Sequence, residues 1–263
     1  MRELERDFPA TPTPQAPALA GGLTIVGLGR AGGAIARAAG VAGIDVSSVG
    51  RGRVVPPGSG VVLLCVPDAT IVDVCEALVG GLMADTFVGH VSGASSLAAL
   101  APASRMGHRT FSLHPLQTIP APDTDLEGAA CAVAGSDRDA LALARALAAR
   151  LEMVPFDVPE DGRGAYHAAA SIASNFLITL EESAASLMAA AGVSDPRAAL
   201  APLVVRTAEN WAKAGAGALT GPIARGDEDT VARHRDALGE RAPELRPLYD
   251  ELTERTRALI QAT

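Results

Sequence analysis

Between Leu23 and Asp157 short apolar runs alternate with stretches whose apolar residues recur at helical spacing. The runs "LTIVG", "DVSSVG", "GVVLLCVP", "TFVGHVS", "TFSLHP", "ACAVAG" and "MVPFDV" predict strands, and the intervening patterns predict helices at Ala31–Ala39, Ala69–Val79 and Asp137–Leu151. Strands that are apolar on both faces, separated by helices, imply a parallel sheet covered on both sides. After Pro159 the strand signals stop. The remainder reads as helix, with breaks at "AAGVSDP", "GAGALTGPIARGD" and "GERAP", the first offering Ser194 or Asp195 as a cap and Pro196 in the first turn. The expected fold class is therefore α/β: an N-terminal parallel-sheet domain over residues 22–158, then an all-α domain over 159–263. Residues 1–21, acidic near the start and broken by repeated X-Pro steps, predict a disordered tail.

The first strand runs straight into "GLGRAGGAIARA", which sets Gly27, Gly29 and Gly32 at GxGxxG spacing where a helix opens. A preceding strand, a following helix and a second strand some 20 residues on are the context that a dinucleotide-binding loop requires. Gly27 suits a tight turn, Gly29 a close approach of backbone N–H groups to a pyrophosphate, and Gly32 the packing of helix on sheet. Arg30 and Ala31, between them, join the candidate cofactor contacts. A NAD site usually ends its second strand with an acid. Here the chain reads "VSSVGRGRV", with Arg51 and Arg53 and no carboxylate, which favours the 2′-phosphate of NADP; solvated loop charges are the other reading of these arginines. The missing acid also argues against S-adenosylmethionine.

Substrate binds outside the carboxyl ends of the strands in such a sheet. Val66, Pro67 and Asp68 in "CVPDAT" and Ser92 in "GHVSGAS" are further candidates for the cofactor, and His114 and Gln117 in "SLHPLQT" for the substrate. His90 and His114, following neighbouring strands, are candidates for the nicotinamide edge. Ordinary turn and cap chemistry is the alternative for each, Asp68 above all.

In "YHAAASIASN" the side chains of His167, Ser171 and Asn175 stand four apart, within about 80° on a helix. A histidine near neutral pH can protonate the oxyanion formed when hydride reaches a carbonyl, and Ser171 and Asn175 can hydrogen-bond the substrate. This ridge is the candidate catalytic set, expected to face the nicotinamide across a cleft between the domains; packing between helices is the competing account. Thr220 and Arg225 in "LTGPIARGD" are candidate substrate contacts, Arg225 pairing either with a substrate carboxylate or with Asp227.

Composition narrows the function classes. Of 263 residues 48% are hydrophobic and 20% charged, as in a core-forming globular protein, and the net charge of −8 gives no basic field for nucleic acid or an acidic membrane surface. Cys65, Cys75 and Cys131 are scattered in apolar segments and read as free thiols of a reducing compartment, with the cytoplasm as the expected location. Nothing indicates a bound metal. Lys213 is the only lysine.

The motifs "GLGRAGGAIARA", "VPDATI", "HVSGASSLAAL", "GHRTFSLHPLQT", "YHAAASIASNFL" and "LTGPIARGD" together resemble a bacterial oxidoreductase family with a Rossmann-like domain followed by a helical domain of unknown function. More distantly the chain is similar to ketopantoate reductase, to the 6-phosphogluconate and β-hydroxyacid dehydrogenases and to pyrroline-5-carboxylate reductase. The resemblance implies a nicotinamide cofactor, a small-molecule substrate and a homodimer formed through the helical domain. In ketopantoate reductase the general-acid lysine stands where this chain has His167. The resulting expectation is an NADPH-dependent reductase of a small oxo acid, or a related carbonyl or imine compound. A non-catalytic NADP(H) sensor is the alternative from another class, and a deazaflavin-linked redox partner a third.

Overall fold

The structure, a computed structural model, describes residues 17–50 and 55–262. It divides into two compact units, residues 1–171 and 172–263.

The first unit is built on a seven-stranded sheet: β1 (Leu23–Val26), β2 (Val46–Val49), β3 (Val61–Leu64), β4 (Phe87–His90), β5 (Thr110–Pro115), β6 (Ala130–Gly135) and β7 (Val154–Asp157). Their spatial order is β2-β1-β3-β4-β5-β6-β7. Every strand predicted from the apolar runs forms. Helices α1 (Arg30–Val41), α2 (Ile71–Val79), a short α3 (Ala101–Arg105) and α4 (Arg138–Arg150) connect them. Side chains alternate between the faces, so Leu23, Ile25, Val61 and Leu63 enter one core with Ile35 of α1 and Leu147 of α4. Val26, Val62 and Leu64 enter a second core with Ile71 and Cys75 of α2. This is the two-sided burial that the unbroken apolar runs require.

The expectation of an all-parallel sheet is corrected at one step. β5 and β6 pair antiparallel, with Phe111 opposite Gly135 and Pro115 opposite Cys131, and β7 then pairs parallel to β6. A parallel crossover usually needs a helix. The link from Leu116 to Ala129 has none: it is a turn-rich loop containing Pro120 and Pro122, and the chain leaves it in the opposite direction. A second correction concerns the tail. Residues 1–16 lie outside the described residues, but Pro17–Gly21 is a 3₁₀ turn whose Leu19 packs into the first core.

Strand structure ends at Asp157, as read from the sequence. The next helix, α5 (Arg163–Ala173), nevertheless starts within the first unit, because its Arg163 is buried against β5. Residues 172–263 hold α6 (Asn175–Ala190), α7 (Pro196–Ala214), a one-turn α8 (Pro222–Arg225), α9 (Glu228–Arg241) and α10 (Arg246–Gln261). Asp195 caps α7, its carboxylate accepting from the Ala198 N–H at 3.1 Å with Pro196 in the first turn. Asp250 accepts from both Arg235 and Arg246 at 2.8 Å, tying α9 to α10. Among the described residues no helix is long and apolar enough to cross a membrane.

Candidate active site

The turn between β1 and α1 shows why three glycines stand there. Gly27 has φ +96°, and a Cβ on it would lie 2.6 Å from the Cys65 carbonyl oxygen. A Cβ on Gly32 would lie 2.0 Å from the Gly27 carbonyl oxygen. Gly27 is required by the turn's close approach to the end of β3, and Gly32 by the turn's packing on itself. Gly29 differs: a Cβ there would meet no atom within 4 Å. Its backbone opens α1, its carbonyl accepting from the Gly33 N–H at 2.8 Å. Gly29 therefore leaves a bare edge beside the unpaired N–H groups and positive dipole end of a twelve-residue helix, an arrangement that suits a phosphate. A cavity of about 670 Å³ opens at this point, within the range of small-molecule and cofactor sites. Gly27 and Gly29, Val49 and Gly50 at the end of β2, and Val66 and Pro67 after β3 line it, with one face of α2.

This contrast gives a prediction. Gly32→Ala is expected to destabilise the fold by about 1–3 kcal/mol, since backbone must move to admit the methyl, whereas Gly29→Ala should change stability by less than about 0.5 kcal/mol. Urea midpoints of the two variants measure the difference.

Next to this turn, the loops after β3 and β4 are tied together. Ser92 Oγ donates to Asp68 Oδ2 at 2.7 Å and accepts from the Ser95 N–H at 2.9 Å. His90, fully buried, accepts from the Ser92 N–H on Nδ1 at 3.2 Å and lies 3.3 Å from the Ser96 carbonyl through Nε2. An accepting Nδ1 and a carbonyl opposite Nε2 define a neutral Nε2–H ring, and burial, reinforced by the charge of Arg163, pushes its pKa down to about 4. Both nitrogens of His90 are used within the protein. Its place at the nicotinamide edge, expected from sequence, is corrected to a structural one.

His114, the next histidine along the sheet, keeps one nitrogen for other work. Its Nδ1 is 2.6 Å from the Tyr166 hydroxyl of α5, and its ring centroid is 6.0 Å from that of His167. Burial first, then His167 and Arg163, push the His114 pKa down to about 4. Arg163, only 1% exposed, anchors the start of α5: Nε donates to Glu160 Oε1 at 2.8 Å and Nη2 to Ser112 Oγ of β5. Glu160 Oε2 in turn accepts from the Leu97 N–H at 2.8 Å. Among the described residues two buried side-chain nitrogens are left without a hydrogen-bond partner, Arg163 Nη1 and His167 Nδ1. Tyr166 and Arg163 were not singled out in the sequence: Tyr166 lies beside the four-residue line, while Arg163 stands on it, four before His167, and extending the line back one turn is the signal that could have found it.

The ridge itself is corrected. His167 and Ser171 are half-buried on α5, but Ser174 leaves helical geometry with φ −122° and ψ −71°, and Asn175 opens the separate helix α6. The three side chains do not share one continuous helix. Gln117 is exposed and donates to the Asp125 carbonyl at 2.6 Å. Thr220 and Arg225 are exposed around α8; Asp227 caps α9 by accepting from the Thr230 N–H at 3.0 Å, and no ion pair joins it to Arg225 among the described residues. Arg30 is exposed and Ala31 half-buried in the first turn of α1. Arg51 and Arg53 lie outside the described residues. Cys65, Cys75 and Cys131 are free thiols, and no metal-binding cluster occurs among the described residues.

Residues 129–256 match the family model of DUF2520, a domain of unknown function. The match runs from the start of β6 into α10 and agrees with the resemblance read from the motifs. No curated protein matches the chain in sequence. Solved structures share the fold over nearly the whole length. A Bacteroides fragilis protein named as an inferred NADP oxidoreductase has a TM-score of 0.74 at 20% identity, over 90% of this chain and 97% of its own. Protein TM1727 of Thermotoga maritima has a TM-score of 0.73 at 24% identity, over 91% and 98%. An imine reductase of Streptomyces aurantiacus has 0.66 at 13% identity, over 91% and 98%. The Rossmann-like α/β sheet followed by helices is thus the fold class of this chain.

Proposed function

We propose that the protein is an NADPH-dependent reductase of a small carbonyl compound, an oxo acid of the ketopantoate type or a related imine. The observation that carries this reading is that one unit holds, at the same ends of its strands, both the glycine-lined cavity and the His114–His167 pair. Gly27, Gly29, Val66 and Pro67 would hold the dinucleotide, with Arg30, Ala31 and Gly32 forming the helix start behind its phosphates. Asp68 and Ser92 brace the loop next to it, and Arg51 would meet the 2′-phosphate. When bound, NADPH supplies hydride. His167 delivers a proton to the carbonyl oxygen, with Ser171, His114 and Gln117 of the same unit as the set from which substrate contacts come. Names among the fold's neighbours, imine reductase and NADP-bound pyrroline carboxylate reductase, support this class of chemistry. A cytoplasmic location fits the same reading.

The test is NADPH consumption against a panel of 2-oxo acids and cyclic imines, with NADH in parallel. Turnover with NADPH preferred supports the proposal. Tight NADPH binding with no turnover on any member would favour a sensor.

The helical part is proposed to form a homodimer. Neither α6 nor α7 buries a single residue, and Phe176, Ile178, Leu203, Val205 and Trp211 are each more than half exposed. That much apolar surface on two long helices calls for a partner, and a second copy offers the matching face. Light scattering should report close to twice the 26.6 kDa chain mass, and a monomer at high concentration would refute it.

A further inference from the structure

Gly93, Tyr166 and the two imidazoles make a local arrangement that the proposed chemistry has not yet used. A Cβ on Gly93 would lie 2.7 Å from His114 Cε1, 2.8 Å from His114 Nε2 and 2.8 Å from His167 Nδ1. Both rings therefore rest on the bare edge of one glycine, which is itself buried. His167 Nδ1 has no partner there. On the far side of His114, Nδ1 meets the Tyr166 hydroxyl at 2.6 Å, and this is the hydroxyl's one hydrogen-bond partner among the described residues.

We infer that Tyr166 and Gly93 are positioning residues: Tyr166 donates to His114 Nδ1 and so fixes the Nε2–H tautomer, and Gly93 lets that N–H stand beside His167, where it hydrogen-bonds the carbonyl oxygen of the substrate. The inference rests on the reductase reading for its ligand, and the tautomer follows from geometry, with burial keeping both groups uncharged. A phenol proton with a single neighbour goes to that neighbour, and Nδ1 can receive it only as a bare lone pair. Burial pushes the Tyr166 pKa up to about 12, so the phenol keeps its proton at neutral pH. Burial likewise keeps His114 from becoming a cation next to His167, and an uncharged ring with its proton on Nε2 is a donor and not a base. The two histidines then divide the work, His114 holding the carbonyl oxygen and His167 supplying the proton. Such a site selects a substrate atom with a free lone pair, a carbonyl oxygen or an unprotonated imine nitrogen, over an iminium, which has none to offer.

The experiment is ¹⁵N NMR of histidine-labelled full-length protein at pH 7, unmodified and as Tyr166→Phe and Gly93→Ala, each first shown to be folded by circular dichroism. The expected result is a single Nε2–H tautomer for His114 in the unmodified protein, and its loss to a mixture of tautomers in Tyr166→Phe. Gly93→Ala should shift the signals of His114 and His167 together. In the NADPH assay Tyr166→Phe should lower kcat by about tenfold with NADPH affinity unchanged. A His114 found as Nδ1–H, or a tautomer indifferent to Tyr166→Phe, would overturn the inference while leaving the reductase reading in place. A silent substrate panel with the expected tautomers would sink the reductase reading and leave the positioning intact.

Discussion

His167→Ala is expected to lower turnover with NADPH by a factor on the order of 10²–10⁴ while leaving NADPH affinity nearly unchanged. The direction follows from where the residue stands. The cofactor's proposed contacts come from the β1–α1 turn and the loop after β3, and His167 belongs to α5, beside His114 and Gly93. Removing its ring takes away the proposed proton donor and no group that lines the glycine cavity. A packing role makes the opposite forecast, a lowered melting temperature with the specific activity of the folded fraction preserved. Melting temperature and steady-state rate on one sample separate the two.

The second large effect is on stability in acid. His90 and His114 both have folded pKa values near 4, against an ordinary value of 6.5, chiefly because burial disfavours the charged ring. Between those values the unfolded chain binds protons that the fold refuses. Stability is therefore full above about pH 6.5 and declines as pH falls towards 4. For the fully buried His90 the difference amounts to about 3 kcal/mol; His114, less deeply placed, adds to it. Urea unfolding at pH 7.5 and at pH 4.5 should show the loss, and His90→Asn should flatten the pH dependence even though it lowers stability at neutral pH. A free energy of unfolding that is flat from pH 7.5 to 4.5 would contradict the burial argument.

Much of the sheet was legible because burial on both faces leaves a plain signature. Each apolar run from "LTIVG" to "MVPFDV" became a strand, and the glycines after the first run lie at a sharp turn, where Gly27 and Gly32 admit no side chain. Strand direction left no such mark. The reversal between β5 and β6 depends on a loop that contains no helix, and an apolar run reads the same in either orientation. The end of α5 was illegible for a related reason. "SIASNF" contains neither glycine nor proline, but serine and asparagine compete locally for hydrogen bonds, and Ser174 Oγ bonds Asn175 Oδ1 at 2.9 Å where the helix breaks. Periodicity alone therefore drew His167, Ser171 and Asn175 into one ridge. The residues that surround His167 were hidden by their distance in sequence: His114 lies 52 positions before Tyr166, and Ser112 lies 51 before Arg163. Only folding brings β5 to the start of α5.

Transfer of deuterium from NADPH labelled at the nicotinamide C4 tests the central proposal most directly. Incubated with the protein and a substrate active in the panel, the label should appear as one deuterium on the former carbonyl or imine carbon, detected by mass spectrometry, with His167→Ala slowing its appearance by the factor given above. Bound NADPH that yields no labelled product with any carbonyl or imine would contradict the account.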